Sequence, residues 1–443
     1  MVKSKKDILK KVKEDKVKFI HLWFTDILGF LKSVAITSGE LKRAIDEGIG
    51  FDGSSIEGFA RIDESDMIAL PDISTFQLLP IGMNENYQTG RIFCDIMKPD
   101  KTPYEGDPRW ILKRILKKAS KMKFTSYMGP ELEYFYFKSS TLPPELLDNG
   151  GYFDLTPMDI ASDLRKKTIQ ALEKMEITAE CSHHEVAPSQ HEINLKFNDA
   201  LSMADNIMTC KLLIKEIALK HGVYATFMPK PLYGENGNGM HVHQSLFREN
   251  KNAFFDSRDK NHLSLVAKQY LAGLLRHSPE ITVVTNQWVN SYKRLVSGYE
   301  APVYLTWALK NRSDLIRLPE YQPGKEKDTR IEFRSPDPAC NPYLAFAVML
   351  AAGLEGIKKE YELPSPTKQN VYQMTEKERK ENKITTLPGN LYEAIKVAEG
   401  SNLLRQTLGE HIFTKLLENR RIEWNHYKSQ VTSYELEKFF AVL

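Results

Sequence analysis

Ser-His-His-Glu-Val-Ala-Pro-Ser-Gln-His-Glu-Ile-Asn-Leu, residues 182–195, gathers His183, His184, His191, Glu185 and Glu192 around one proline turn. From Glu192 onward the chain alternates. Glu192, Asn194 and Lys196 face one way and Ile193, Leu195 and Phe197 the other, the period of a half-buried strand. Carboxylates beside such a strand need a cation, because an unpaired buried charge is expensive. An ordinary exposed polar strand has the same pattern, so the rest of the chain must decide.

Matching pieces lie on both sides. Upstream, residues 129–137 form a strand by their aromatic content, with Glu131 and Glu133 on one face. Two adjacent glutamates repel unless something positive sits between them. Downstream, the glycine-rich stretch 234–245 runs into a strand with His241 and His243 on one face. It lacks the Gly-Lys-Ser/Thr ending of a P-loop, so a nucleotide must be held some other way. His-x-His also describes paired core histidines, or an amidohydrolase, a class that needs further histidines and an aspartate. A loop carries Arg294 and Glu300, and Arg312 and Arg317 follow. Arg330, Glu332 and Arg334 alternate on one strand face, either as a local ion-pair ladder or as an anion site beside a metal. Near the start, residues 50–58 form a glycine- and serine-rich loop with Asp52 at its tip, a surface turn or a point of close approach.

Further out, the pattern predicts a strand over 17–24 with a hairpin partner over 32–36, then short strands over 67–70 and 91–96. Asp107-Pro108 is a good helix start, which predicts a helix over 107–123 and a domain boundary near residue 105. Helices are expected over 159–175, 198–221, 263–278, 341–356 and 403–427. The length of 443 residues predicts two domains. A hydrophobic content of 42% with 27% charged residues fits a soluble globular protein. A net charge of +3 gives no argument for nucleic acid, no apolar run is long enough for a membrane span, and no signal-peptide pattern opens the sequence. Cys94, Cys181, Cys210 and Cys340 lie far apart, which fits a reducing cytoplasm and argues against a zinc-thiolate site. Glutamates from three strands with one histidine suit Mg²⁺ or Mn²⁺ rather than zinc. Several arginines beside such metals are a phosphoryl-transfer layout.

These motifs together resemble the type I glutamine synthetase family of bacteria and archaea. The likeness rests on Phe51-Asp-Gly-Ser-Ser, Gly129-Pro-Glu-Leu-Glu, His183-His-Glu-Val-Ala, Asn236-Gly-Asn-Gly-Met-His, Gly298-Tyr-Glu-Ala-Pro, Asn311-Arg-Ser and Arg330-Ile-Glu-Phe-Arg, in family order over essentially the whole chain. It implies an α+β fold, with a small N-terminal β-grasp domain over 1–104 and a catalytic domain over 105–443 whose curved antiparallel sheet is flanked by helices. It implies a cytoplasmic dodecamer of two stacked hexamers, with the active sites between subunits. The implied reaction is ATP-dependent ligation of ammonia to the γ-carboxylate of L-glutamate through γ-glutamyl phosphate. A γ-glutamyl-amine ligase of the same fold, using a polyamine, and a non-catalytic structural homologue are the alternatives.

By motif, the resemblance implies two or more Mg²⁺ or Mn²⁺ ions per site. One falls to Glu133, Glu185 and Glu192 and another to Glu131, His241 and Glu332. It puts glutamate against Asn236, Gly237, Arg294 and Arg334, and ATP near Glu180, His243, Ser245, Arg317 and Arg330. Arg312 and Arg330 offset the charge that develops on phosphate. Ammonium falls to Asp52 and Ser55 of a neighbouring subunit with Tyr152, Glu185 and Glu300; Asp52 takes one proton and Glu300 helps remove the last. Ser297 stands where the family usually has proline, and either Lys325 or Lys327 contacts phosphate. Around Tyr372 the Asp-Leu-Pro of the adenylylated subgroup is missing, so no adenylylation is expected, while Arg61 matches a residue tied to glutamine feedback. The resemblance leaves room for a regulatory protein partner.

Overall fold

The structure is a computed structural model that describes residues 4–58, 66–80, 87–299, 301–309, 314–367 and 370–443. Arg61, Glu300 and Arg312 lie outside the described residues.

The N-terminal part is built on a sheet in the order Leu31–Thr37, Val17–Thr25, Gln88–Met97, Asp66–Pro71, Ile49–Asp52, with Gln77–Leu78 added to the Gln88–Met97 strand. Val17–Thr25 and Gln88–Met97 run parallel; the other pairs are antiparallel. Strand alternation divides these residues between two cores. Ile20, Leu22, Phe24, Ile92, Cys94 and Ile96 fill a small core of their own. Trp23 and Phe93, on the opposite face, join the larger core. The turn after Val17–Thr25 docks on the rest of the chain. Asn341 Nδ2 donates to Asp26 O at 3.0 Å, and Gln287 Nε2 to Leu28 O at 2.6 Å. Gly29, at φ +86°, is required there, because a Cβ would come within 2.9 Å of Asn341 Cα.

The larger part is organised by the long strand Thr125–Phe137. The main path of its ten-stranded sheet runs Trp307–Ala308, Ile316–Arg317, Ile331–Phe333, Met240–Arg248, Thr125–Phe137, Gln190–Leu195, Ala179–His184. All pairings are antiparallel except that of Trp307–Ala308 with Ile316–Arg317. The helices Pro108–Lys121, Ala200–Lys220, Leu265–Thr285 and Pro342–Lys358 bury apolar residues in the same core. Asp107 caps the first of these, accepting from Arg109 N at 2.9 Å, with Pro108 in the first turn.

Two expectations are corrected. The helix expected over 263–278 continues through Pro279 to Thr285. Pro279 leaves one main-chain hydrogen bond unmade, but Ile281, Thr282, Val283 and Val284 beyond it are all buried, and their packing outweighs that loss. The strand expected to bury Phe197 ends at Leu195, and Phe197 is 48% exposed. Its ring sits 6.0 Å from that of Tyr127 at the edge of the cavity described below, rather than in the core.

Candidate active site

Sheet register assembles the site. Glu131 and Glu133 stand two residues apart on the central strand, so they share a face. Glu133 lies opposite Glu192, and Glu131 opposite His241. One strand further, His243 lies opposite Glu332, which in turn faces Arg317. On the other side His183 faces Glu192. Cross-strand partners project together, so residues far apart in the chain form one acidic and imidazole-bearing row.

At one end of the row, His241 Nδ1 and His243 Nε2 lie 3.0 and 2.8 Å from the two oxygens of Glu131. Buried Glu332 accepts from Arg317 Nη1 at 2.8 Å and pairs closely with Arg334, and its Oε1 is 3.9 Å from His241 Nδ1. At the other end, Glu185 and Glu192 converge on His183, with carboxylate oxygens 3.6 and 3.3 Å from its ring nitrogens. Glu133 lies between the ends. Its Oε2 accepts from Gly239 N at 2.8 Å and from Gln190 Nε2 at 3.0 Å, and its Oε1 is 3.9 Å from His241 Nε2. Gly239 is squeezed against this group. A Cβ there would lie 2.7 Å from Arg294 Nη2 and 3.1 Å from Glu133 Oε1.

Electrostatics follows from the crowding. Burial, then the charges of Glu185 and Glu192, pushes the Glu133 carboxyl well above its ordinary range. Burial also works to raise Glu131, but hydrogen bonds from His241 and His243 outweigh it and hold that carboxyl well below the usual range. Glu332 likewise overcomes its burial, chiefly through Arg334, and stays ionised. Two groups of potential ligand atoms result, Glu131 with His243 and Glu332, and His183 with Glu185 and Glu192, each within 4.8 Å. An acidic cluster that raises the pKa of its own member, with oxygen donors in the majority, fits a hard divalent cation.

All six residues expected to bind metal therefore stand in one row, Glu185 on the turn between Ala179–His184 and Gln190–Leu195 and the other five on or beside four neighbouring strands. Sequence reasoning missed His183 and Gln190. His183 was legible as a histidine two positions before Glu185 in the stretch 182–195; the contact of Gln190 with Glu133 depends on register alone.

A cavity of about 890 Å³ opens beside the row. Glu180, His243, Ser245, Arg317 and Arg330, the residues expected near ATP, all line it, as do Glu131, Lys325 and Lys327. Arg330 Nε donates to His243 Nδ1 at 3.2 Å. Arg294 wraps the chain that leaves the Ile331–Phe333 strand: Nη1 donates to Ser335 O at 2.7 Å and Nη2 to Arg334 O at 3.1 Å. Asn236 and Gly237 precede the His241 strand, and Gly237 O accepts from Gln190 Nε2 at 3.2 Å. Tyr152 lies across His183, with ring centres 5.5 Å apart. Asp52 and Ser55 sit elsewhere, on the small sheet and its following turn, where Asp52 Oδ1 accepts from Ser54 N at 2.9 Å and Ser55 Oγ donates to Asp52 O at 2.8 Å. Among the described residues, nothing before Tyr127 lines the cavity.

Comparison with known proteins agrees with this geometry. Residues 16–99 match the glutamine synthetase beta-Grasp domain and residues 105–439 the glutamine synthetase catalytic domain. The chain is 51% identical to a glutamine synthetase of Mycolicibacterium smegmatis, covering 100% of both chains. It is 50% identical to one of Methanosarcina mazei, covering 99% of this chain and 98% of the other. Among solved structures, a GmaS/ADP complex superposes with a TM-score of 0.88 at 29% identity, covering 98% of this chain and 99% of that one. A Plasmodium falciparum glutamine synthetase also gives 0.88, at 26% identity over 98% of each chain. With both domains matched in order and relatives alike from end to end, the chain belongs to the glutamine synthetase family.

Proposed function

We propose that this chain is a glutamate–ammonia ligase, joining ammonia to the γ-carboxylate of L-glutamate with ATP and releasing L-glutamine, ADP and phosphate. The observation that carries the reading is the row of glutamates and histidines beside a cavity lined by Arg317 and Arg330. Glu133, Glu185 and Glu192 would hold one divalent cation, and Glu131, His241 and Glu332 another. Mg²⁺ or Mn²⁺ there offsets phosphate charge when bound. The hydrogen bonds support His241 over His243 as the ligand. Arg330 occupies His243 Nδ1, so His243 Nε2 carries the hydrogen given to Glu131 and has no lone pair to offer. His241 Nδ1, 3.0 Å from Glu131 Oε2 and 3.9 Å from Glu332 Oε1, offers its lone pair to that site when the ring hydrogen sits on Nε2, 3.9 Å from Glu133 Oε1.

ATP then occupies the cavity against Glu180, His243, Ser245, Arg317 and Arg330, and glutamate lies against Asn236, Gly237, Arg294 and Arg334. The γ-carboxylate attacks the terminal phosphorus, ADP leaves, and γ-glutamyl phosphate forms; Arg330 and Arg312 offset the charge that develops. Ammonium is a cation, so carboxylates concentrate it and a base must then neutralise it. Asp52 is that base, with Ser55, Tyr152, Glu185 and Glu300 completing the pocket. Ammonia displaces phosphate from the acyl carbon. Asp52 and Ser55 stand on the small N-terminal sheet and its following turn, apart from the ten-stranded sheet that bears the metal row, which supports their donation by a neighbouring subunit, and with it a ring assembly of twelve chains in two hexamers. The division into residues 1–104 and 105–443 follows the same reading. Cys94, Cys181, Cys210 and Cys340 are all free thiols, which supports a cytoplasmic setting.

The experiment measures phosphate and glutamine together from ATP, glutamate and Mg²⁺, with ammonium and with a panel of amines. Equal amounts of both products with ammonium support the reading. Turnover only with a larger amine moves the protein to the γ-glutamyl-amine ligases, and no turnover with any amine leaves a structural homologue.

A further inference from the structure

Behind the Glu185 and Glu192 end of the row lies a buried polar group that the reaction scheme does not use. Asp148, His184 and His191 bring a carboxylate and two imidazoles within 4.8 Å. The set resembles a metal site, but its hydrogen bonds exclude that. Arg165 Nη1 is 2.8 Å from His191 Nδ1, and a guanidinium only donates, so His191 must carry its hydrogen on Nε2. That Nε2 points to Asp148 Oδ2 at 3.9 Å and has no lone pair for a cation. His184 gives both ring hydrogens to oxygens, Nδ1 to Glu185 O at 2.7 Å and Nε2 to Asp148 Oδ1 at 2.9 Å. Arg165 is paired in turn with Asp159 through two hydrogen bonds. Two acids and two cations balance within the cluster, which makes its burial tolerable.

Asp148 also holds main chain on both sides. Its Oδ1 accepts from Ser189 N at 2.9 Å, and its own N–H is received by Ser189 Oγ at 3.0 Å. Ser189 Oγ receives Leu147 N as well, at 2.8 Å, and donates to Asp148 O at 3.1 Å. Ser189 belongs to the turn that carries Glu185. Asp148 begins the loop that carries Tyr152, and Phe153 N donates back to His184 O at 3.1 Å. The loop is pressed so tightly on the ring that a Cβ at Gly150 would lie 2.6 Å from His184 Nε2.

We propose that Asp148 is a positioning residue for the ammonium step. Through His184 and Ser189 it locks the Tyr152 loop onto the Glu185 turn, so that the two sides of the ammonium pocket are set together. This rests on the ammonium pocket assigned above. The test compares Michaelis constants for ammonium, glutamate and ATP in the wild type, Asp148→Asn and Ser189→Ala. Asp148→Asn keeps the shape but turns one acceptor oxygen into a donor facing His191 or His184. Ser189→Ala removes only the loop anchor and is the milder change, so it decides alone if Asp148→Asn does not fold. The ammonium constant is expected to rise about tenfold, with glutamate and ATP within about twofold, the scale of supporting-residue effects at such sites. An unchanged ammonium constant, or equal rises in all three, overturns the proposal. A wild type that makes no glutamine with ammonium overturns instead the reading on which the proposal rests.

Discussion

Crowding pushes the Glu133 carboxyl toward its protonated form, and a cation bound beside it would oppose that shift. Burial and the charges of Glu185 and Glu192 push its carboxyl up, which favours the protonated form, and a cation bound there would compete with that proton. Apparent Mn²⁺ affinity is therefore expected to strengthen as pH rises, with proton release visible by titration calorimetry in buffers of different ionisation enthalpy. The sign for stability is opposite. A carboxyl raised above its ordinary 4.5 favours the folded state at low pH, and the metal-free protein loses that contribution as pH rises above that value. Glu133→Gln keeps an acceptor for Gly239 N and Gln190 Nε2 and removes one of the crowded charges. It is expected to weaken Mn²⁺ binding by about tenfold or more while leaving the urea midpoint of the metal-free protein unchanged or higher. A lowered midpoint would count against the crowding argument. Glu332 is the reverse case. It is 1% exposed between Arg317 and Arg334, so Glu332→Ala leaves two guanidinium groups facing each other. Loss of about 3–5 kcal/mol of stability is expected alongside loss of glutamine formation, read from denaturation with and without Mg²⁺.

At the level of elements, the sheet is backed by two helices that meet main chain to main chain. Leu265–Thr285 and Pro342–Lys358 cross at Gly273 and Gly356, where a Cβ would fall 2.2 Å from Ala352 O and from Gln269 O respectively. Only glycine permits that approach, and it is what brings the buried faces of both helices into the core beneath the sheet. Gly273→Ala is expected to force the helices apart at a cost of about 1–3 kcal/mol, measured as a fall in the urea midpoint with an unchanged slope. The effect on Michaelis constants should be small, because Gly273 touches helix and not site.

At the scale of the whole molecule, the two sheets are joined by the turn at Gly29 and by an ionic knot. Arg109, 4% exposed, reaches Asp95 at 2.6 Å, Asp72 at 2.9 Å and Asp205 at 3.0 Å. A rigid junction of this kind fixes where the Asp52 edge points, which matters if that edge serves a neighbour. Mixing settles the point. Asp52→Ala and Glu133→Gln chains are each expected to be inactive alone. Dissociated and reassembled together in equal amounts, they regain about a quarter of wild-type activity, since one interface in four then pairs an intact loop with an intact metal row. No recovery would place Asp52 and Glu133 of the same chain in one site.

The seven motifs, the helix start at Asp107-Pro108, the strand alternation around Glu131 and Glu192, and the family itself were all legible in the sequence. Each is written in local spacing, and spacing of 2 or 3.6 residues is what decides which side chains share a face. Register is not local. Which glutamate faces which histidine across strands, that His243 spends its lone pair on Arg330, that Gln190 holds Glu133, and that Phe197 leaves the core for the cavity were decided by tertiary structure. So was the continuation of the helix through Pro279, where burial of the next turn outweighs one lost hydrogen bond. The sequence names the proposed ligands and the proposed acids and bases. Only the packed sheet determines their partners, because a hydrogen bond across strands depends on residues that no local pattern brings together.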